Sequence, residues 1–152
     1  MPEPLAHDIV RLGPALEQAR LSLSRGGIPI GAALYRGDDL LGVGHNQRVQ
    51  LDNPILHGEM DCLQNIGRLR SYRGTTIYST LMPCYMCSGT IVQFRIPRVV
   101  VGEAQSFPGG RDLMELHGVE VVDLARPECA EMMQGFIRDN PELWAEDIGE
   151  LG

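Results

Sequence analysis

Residues 80–87 read Thr80-Leu81-Met82-Pro83-Cys84-Tyr85-Met86-Cys87, where a β-rich run (Thr75–Thr80) gives way to a stretch with helical spacing (about Tyr85–Phe94). Pro83 falls near the helix start, where a missing N–H is tolerated. Cys84 and Cys87 are three residues apart, so the first turn of one helix can present both sulfurs to a single point. Upstream, His57-Gly58-Glu59 opens another helical stretch that runs to about Arg68. His57 and Glu59 lie about 200° apart around a helix, so both reach one point only at an open N-terminus. Two thiolates and one imidazole make three zinc ligands and leave the fourth tetrahedral position to water, the mark of a catalytic site. The metal is therefore expected where two helix N-termini meet, with the positive ends of both dipoles favouring thiolate and an oxyanion.

Outward from this motif, a first helix is expected from about Pro4 to Ser24, with Leu5, Ile9, Leu12, Leu16 and Ala19 at helical spacing and Gly26-Gly27 as its stop. Strands Ile28–Arg36 and Leu40–Asn46 follow as a hairpin about Gly37-Asp38-Asp39. Residues Leu51–Pro54 read as loop. After the motif come a strand at Arg98–Gly102, a turn-rich loop at Glu103–Gly110, a short helix at Asp112–His117 and a strand at Val119–Asp123. Helices at Pro127–Arg138 and Pro141–Glu150 close the chain. Alternating strands and helices predict an α/β fold with a mixed sheet covered on both faces.

The 152 residues fit one domain, 1–152, and 43% are apolar. The formal net charge of -7 weighs against a phosphate-backbone partner, making nucleic acid an unfavoured partner and a small uncharged or cationic substrate the better fit. No run approaches the roughly 20 apolar residues of a membrane span. The acidic start Met1–Val10 is not a secretory leader, so a cytoplasmic location with reduced cysteines is expected. Cys62 and Cys129 stand alone in apolar helical stretches and read as small buried hydrophobes.

The pattern H-x-E…P-C-x-x-C formed by His57, Glu59, Pro83, Cys84 and Cys87 is the signature of zinc-dependent deaminases. The chain resembles the cytidine/deoxycytidylate deaminase superfamily and, within it, the fungal-type cytosine deaminases. The segments that carry this likeness are residues 27–31, 44–46, 56–59, 80–87, 96–103 and 144–150, in order along nearly the whole chain. The resemblance implies a three-layer α-β-α fold around a five-stranded mixed sheet, a homodimer, and one catalytic Zn²⁺ per chain. It implies that Glu59 shuttles protons for hydroxide attack on an amine-bearing carbon. Asn46 and the Gly58 amide would bind the ring carbonyl, Ile30, Phe107 and Trp144 would wall the pocket, and Asp147 would accept a hydrogen bond from the departing amine.

Each role has a plainer rival. Asn46 suits a turn, a lone Trp such as Trp144 is usually a core anchor, Phe107 shares that ambiguity, and Asp147 could decorate a surface helix. His7, His45 and His117 read as surface or packing residues, and Met82 and Met86 as packing. Tyr85 replaces an acidic residue of the fungal enzymes, and a ring there would reshape the pocket mouth. The expected reaction is cytosine to uracil plus ammonia. Guanine, 5-methylcytosine or creatinine keep the mechanism and change the ring. A tRNA adenosine deaminase, a zinc-stabilised interaction protein and a thiol–disulfide protein are the remaining readings.

Overall fold

A computed structural model describes residues 2–151. Its elements are α1 (Asp8–Ser24), β1 (Gly31–Arg36), β2 (Asp39–His45), α2 (Gly58–Ile66), β3 (Thr75–Leu81), α3 (Tyr85–Phe94), β4 (Arg98–Glu103), α4 (Arg111–Leu116), β5 (Glu120–Asp123), α5 (Pro127–Asp139) and α6 (Pro141–Asp147). The five strands form one sheet in the order β2-β1-β3-β4-β5. β1 runs antiparallel to both β2 and β3, whereas β3, β4 and β5 are parallel. This is the expected mixed sheet between helix layers.

Alternation along each strand builds two apolar layers. Ala32, Leu34, Ile77, Val99, Val101 and Val121 pack with Cys62 and Leu63 of α2, Ile91 of α3 and Met114 of α4. Ala33, Tyr35, Tyr78, Val100 and Val122 face the other way, onto Leu12 and Ala15 of α1 and Cys129 of α5. Two glycines allow close approach. A Cβ on Gly31 would meet Ala15 O at 2.0 Å, and one on Gly44 would meet Cys62 N at 2.2 Å. The backbones of α1 and α2 thus lie against opposite faces of the hairpin, which a side chain at either glycine would prevent.

α1 departs from its expected reading. It begins at Asp8, not Pro4, because the Leu5 amide donates to Asp8 Oδ2 (2.7 Å) and the Asp8 amide donates to Leu5 O (3.0 Å), closing a turn ahead of the helix. Its buried face is Asp8, Leu12, Ala15, Ala19 and Ser22, while Leu5 and Ile9 are exposed. Small side chains are selected there by the closeness of β1. Asp8, fully buried, accepts both guanidinium nitrogens of Arg98 (2.9 and 2.7 Å) and the Tyr78 hydroxyl (2.7 Å).

Other boundaries shift modestly. β1 starts at Gly31 and not Ile28, since Pro29 has no N–H to offer a ladder and the Ile30 amide turns back to Ile28 O (2.8 Å). α2 stops at Ile66, ahead of Arg68, where Gly67 takes φ +81°. α6 ends at Asp147, short of Glu150, as Gly149 takes φ +72° and the Glu150 amide returns to Ala145 O (2.8 Å).

Topology gathers the site. Because β1 is antiparallel to its neighbours, its N-terminal end lies beside the C-terminal ends of β2 and β3, with Gly31 opposite His45 and Ala32 opposite Ser79. Ile30, Asn46 and the Met82-Pro83-Cys84 turn therefore share one sheet edge, the edge where open α/β sheets bind ligands.

Candidate active site

His57 is the N-cap of α2 and Cys84 the N-cap of α3, so the two helix N-termini point at one spot. His57 Nδ1 stands 3.4 Å from Cys84 Sγ and 3.8 Å from Cys87 Sγ. These three ligand atoms lie within 4.8 Å of one another, and they make up the one such metal-capable group among the described residues. Nitrogen and sulfur ligands at their usual zinc distances in a tetrahedron stand about 3.5–3.8 Å apart, so the residues present fit the ion.

Of the three side chains, only Cys84 is held as the thiolate that zinc needs, so ion binding releases protons from His57 and Cys87. A hydrogen bond from Cys87 lowers Cys84 to about 4 against the opposing effect of burial, with His57 helping. Cys87 itself is pushed well up, first by that shared proton and then by burial. Burial alone would lower His57, but Asp147 and Cys84 against its ring outweigh it and hold it at about 10. Burial, then the nearby Cys84 charge, raises Glu59 to about 7, where a carboxyl both accepts and gives a proton near neutrality.

The cavity beside this triad is lined by Ile30, His57, Glu59, Leu81, Met82, Cys84, Phe107, Trp144, Asp147 and Ile148. Phe107, on the β4–α4 loop, meets Trp144 of α6 edge to face, with centroids 5.8 Å apart and planes at 90°. Asp147 Oδ1 lies 3.3 Å from His57 Nε2. The contact is an ion pair that is not aligned as a hydrogen bond, and Asp147 Oδ1 is a buried acceptor with no hydrogen-bond partner.

The structure brings the expected site residues to one edge in two tiers. Ile30, Phe107, Trp144, Asp147 and Glu59 face the cavity directly. Asn46 is fully buried behind it, its Oδ1 accepting the Arg48 amide (2.9 Å) and its Nδ2 facing Asp147 Oδ2 at 3.5 Å. Gly58 packs against Ile30, whose carbonyl oxygen stands 3.1 Å from where a Gly58 Cβ would be. Tyr85, the first residue of α3, is 70% exposed and is not among the residues that line the cavity. Met82 is both core and cavity wall. Sequence reading missed Leu81, Ile148 and, above all, Arg48, which looks like an ordinary solvated charge two residues past Asn46. Its acidic complement, Glu146-Asp147, was the available signal.

Residues 10–103 match the family described as "Cytidine and deoxycytidylate deaminase zinc-binding region", and the chain belongs to that family. It is 50% identical over 139 residues to the cytosine deaminase of Candida albicans, covering 90% of this chain and 93% of that protein. It is 31% identical over 148 residues to the tRNA-specific adenosine deaminase of Bacillus subtilis, covering 89% and 91%. The solved guanine deaminase from Nitrosomonas europaea superposes with a TM-score of 0.72 at 20% identity, covering 90% of this chain and 87% of that one, a likeness of fold alone. The protein is a zinc-dependent deaminase, a hydrolase of C–N bonds.

Removing one of the three converging side chains tests the metal centre directly. Cys87→Ala is expected to lower zinc content in protein purified without chelator from about one ion per chain to under about a tenth, because two remaining ligands hold zinc poorly. Full zinc content in that variant would mean that another side chain completes the site.

Proposed function

We propose that the protein converts free cytosine to uracil and ammonia, with His57, Cys84 and Cys87 as the zinc ligands in a single deaminase domain spanning 1–152. Bound there, zinc supplies the electrophilic pull that makes a water molecule nucleophilic at neutral pH. Glu59 takes one proton from the water and gives it to the ring nitrogen, then takes the second from the hydroxyl left on the ring carbon and gives it to the departing amine, so water adds, ammonia leaves and the ring gains a carbonyl. Asp147 holds the exocyclic amine through its Oδ1, and Phe107, Trp144 and Ile30 sandwich the ring. Asn46 and the Gly58 amide, a free first-turn donor of α2, bind the ring carbonyl.

The observation that carries this reading is Asp147 Oδ1, a buried acceptor without a hydrogen bond on the wall that also holds Glu59 and the metal ligands. An amino-substituted ring supplies the missing donor. The 50% identity to a cytosine deaminase points to the same substrate. Coverage by α6 favours a free base over a base within tRNA, which needs an open face and phosphate contacts. Substrate and product that are both free pyrimidine bases fit a salvage reaction.

The same family likeness supports a homodimer. So does an apolar groove of ≈ 660 Å³ that includes Ile55, Leu56, Met60, Leu63, Tyr72 and Phe94. All four cysteines are free, which suits a reducing cytoplasm, and no helix among the described residues is long and apolar enough to cross a membrane.

A panel of cytosine, 5-methylcytosine, guanine, creatinine and an adenosine-bearing tRNA stem-loop, assayed for ammonia release, tests the assignment. Cytosine is expected to show the highest kcat/KM. Faster turnover of guanine or the stem-loop would replace cytosine with that substrate.

A further inference from the structure

The cavity beside the metal ligands holds a free volume of only ≈ 20 Å³, room for about one water molecule. A six-membered ring needs more room than this, so a wall is expected to shift as the ring enters. Trp144 and Asp147 lie on α6, and Ile148 is its C-cap. A helix of seven residues has no stability of its own in water, so what holds α6 in place sets how the site opens.

Apolar packing of Trp144 on Phe107, Met133 and Phe136 supplies part of that hold. The rest is polar: His57 and Asn46 each face Asp147 alone, and Arg48 is the side chain that reaches two residues of α6. Arg48, on the turn after β2, donates from Nε to Glu146 Oε2 at 2.7 Å and places Nη1 3.5 Å from Asp147 Oδ1. Its main-chain amide donates to Asn46 Oδ1, and Asn46 Nδ2 faces the other Asp147 oxygen. Arg48 is 18% exposed and Asp147 2%. The guanidinium thus shares with His57 the balancing of a buried carboxylate, and removing it would weaken the hold on that charge from the β2 side. An exposed ion pair contributes little. The Asp147 arm of this one is not exposed, and the planar fork of Arg reaches two carboxylates at once, which a point-charge ammonium does less well.

We infer that Arg48 is a positioning residue that latches α6 over the site and aims Asp147 into it. The latch rests on the proposed role of Asp147 at the substrate amine. It also makes a claim about the protein without substrate: the position of α6 depends on Arg48.

Trp144 is the only tryptophan and sits on α6, so its fluorescence reports the latch directly. In zinc-loaded protein without substrate, Arg48→Gln is expected to raise acrylamide quenching of Trp144 by about two- to fivefold, the range for a part-exposed ion pair. Arg48→Lys should fall between Arg48→Gln and the native chain. KM for cytosine should rise in the same order, while the melting temperature stays within a few degrees. A folded Arg48→Gln protein with native quenching overturns the latch. If that variant does not fold, Glu146→Gln removes one arm and should raise quenching by a smaller factor. Native quenching there overturns the latch equally. A native protein that fails to deaminate cytosine would remove the substrate assignment and leave the quenching result standing, so the two failures are distinguishable.

Discussion

Glu59→Ala is expected to keep about one zinc per chain while deamination falls by roughly 10²–10⁴-fold or more. The two readouts separate because Glu59 is not among the three side chains whose ligand atoms converge. Its carboxyl is nevertheless 4% exposed and lines the same cavity. A carboxylate is costly to bury without a partner, and burial raises this one to about 7 with help from Cys84. The cost is explained if the group must gain and lose a proton in each cycle. One group serving twice, once for the water and once for the leaving amine, places the loss at the upper end of the range for proton transfer. Ammonia release on cytosine and zinc content measured on the same preparation decide the matter. Retained turnover refutes the shuttle, and lost zinc recasts Glu59 as part of the metal site.

The second large effect lies on the opposite face of the sheet. Asp8→Asn is expected to destabilise the fold by about 3–5 kcal/mol, the cost of leaving one member of a buried ion pair unpaired. Asp8 is fully buried, and Arg98, 12% exposed, also pairs with Glu120 across the β4–β5 register. The amide keeps the shape and loses the charge, so the Tyr78 hydroxyl loses its anionic acceptor and Arg98 keeps only the half-exposed Glu120. For a chain of this size the loss corresponds to a melting temperature lower by about 10 °C.

The same carboxylate sets an acid limit. Burial by itself would raise Asp8, but Arg98, the Leu5 amide and Tyr78 outweigh it and hold it at about 2, down from 3.8. A depressed folded-state value means that stability is fully present above the unfolded value and is lost as pH falls through the folded one. The window is therefore about pH 4 down to about pH 2, and the contribution is roughly 2 kcal/mol. Native protein should lose stability in this window more steeply than Asp8→Asn, read from urea melts at stepped pH. Parallel curves would show that Asp8 is not the titrating group.

Much of this molecule is legible along the chain, for reasons of spacing. Cys84 and Cys87 on one helical turn, and His57 and Glu59 at a helix start, are local patterns that report a metal site whatever surrounds them. β-strands and helices announce themselves by periods of two and 3.6, and the alternation after the hairpin leaves little choice but a covered mixed sheet. Gly67 and Gly149 mark helix ends for a local reason too, since both take positive φ, although the helical spacing around them runs on past the true ends.

Other features depend on partners far away in sequence. The apolar spacing of Leu5 and Ile9 suggests a buried stripe, yet the face that packs carries Asp8 and Ala15, because β1 lies so close that only small residues fit and because Arg98 arrives from β4. Tyr85 looks placed to crowd the metal and is instead turned to solvent. Arg48 and Asp147 are unremarkable charges until α6 folds back and sets them 3.5 Å apart. The metal ligands and the order of elements can thus be read from residues near one another in the chain, where backbone geometry alone dictates direction. Burial of a charge, closure of the cavity and the hold on α6 arise from side chains that meet only after folding, where packing distance and desolvation choose the partner.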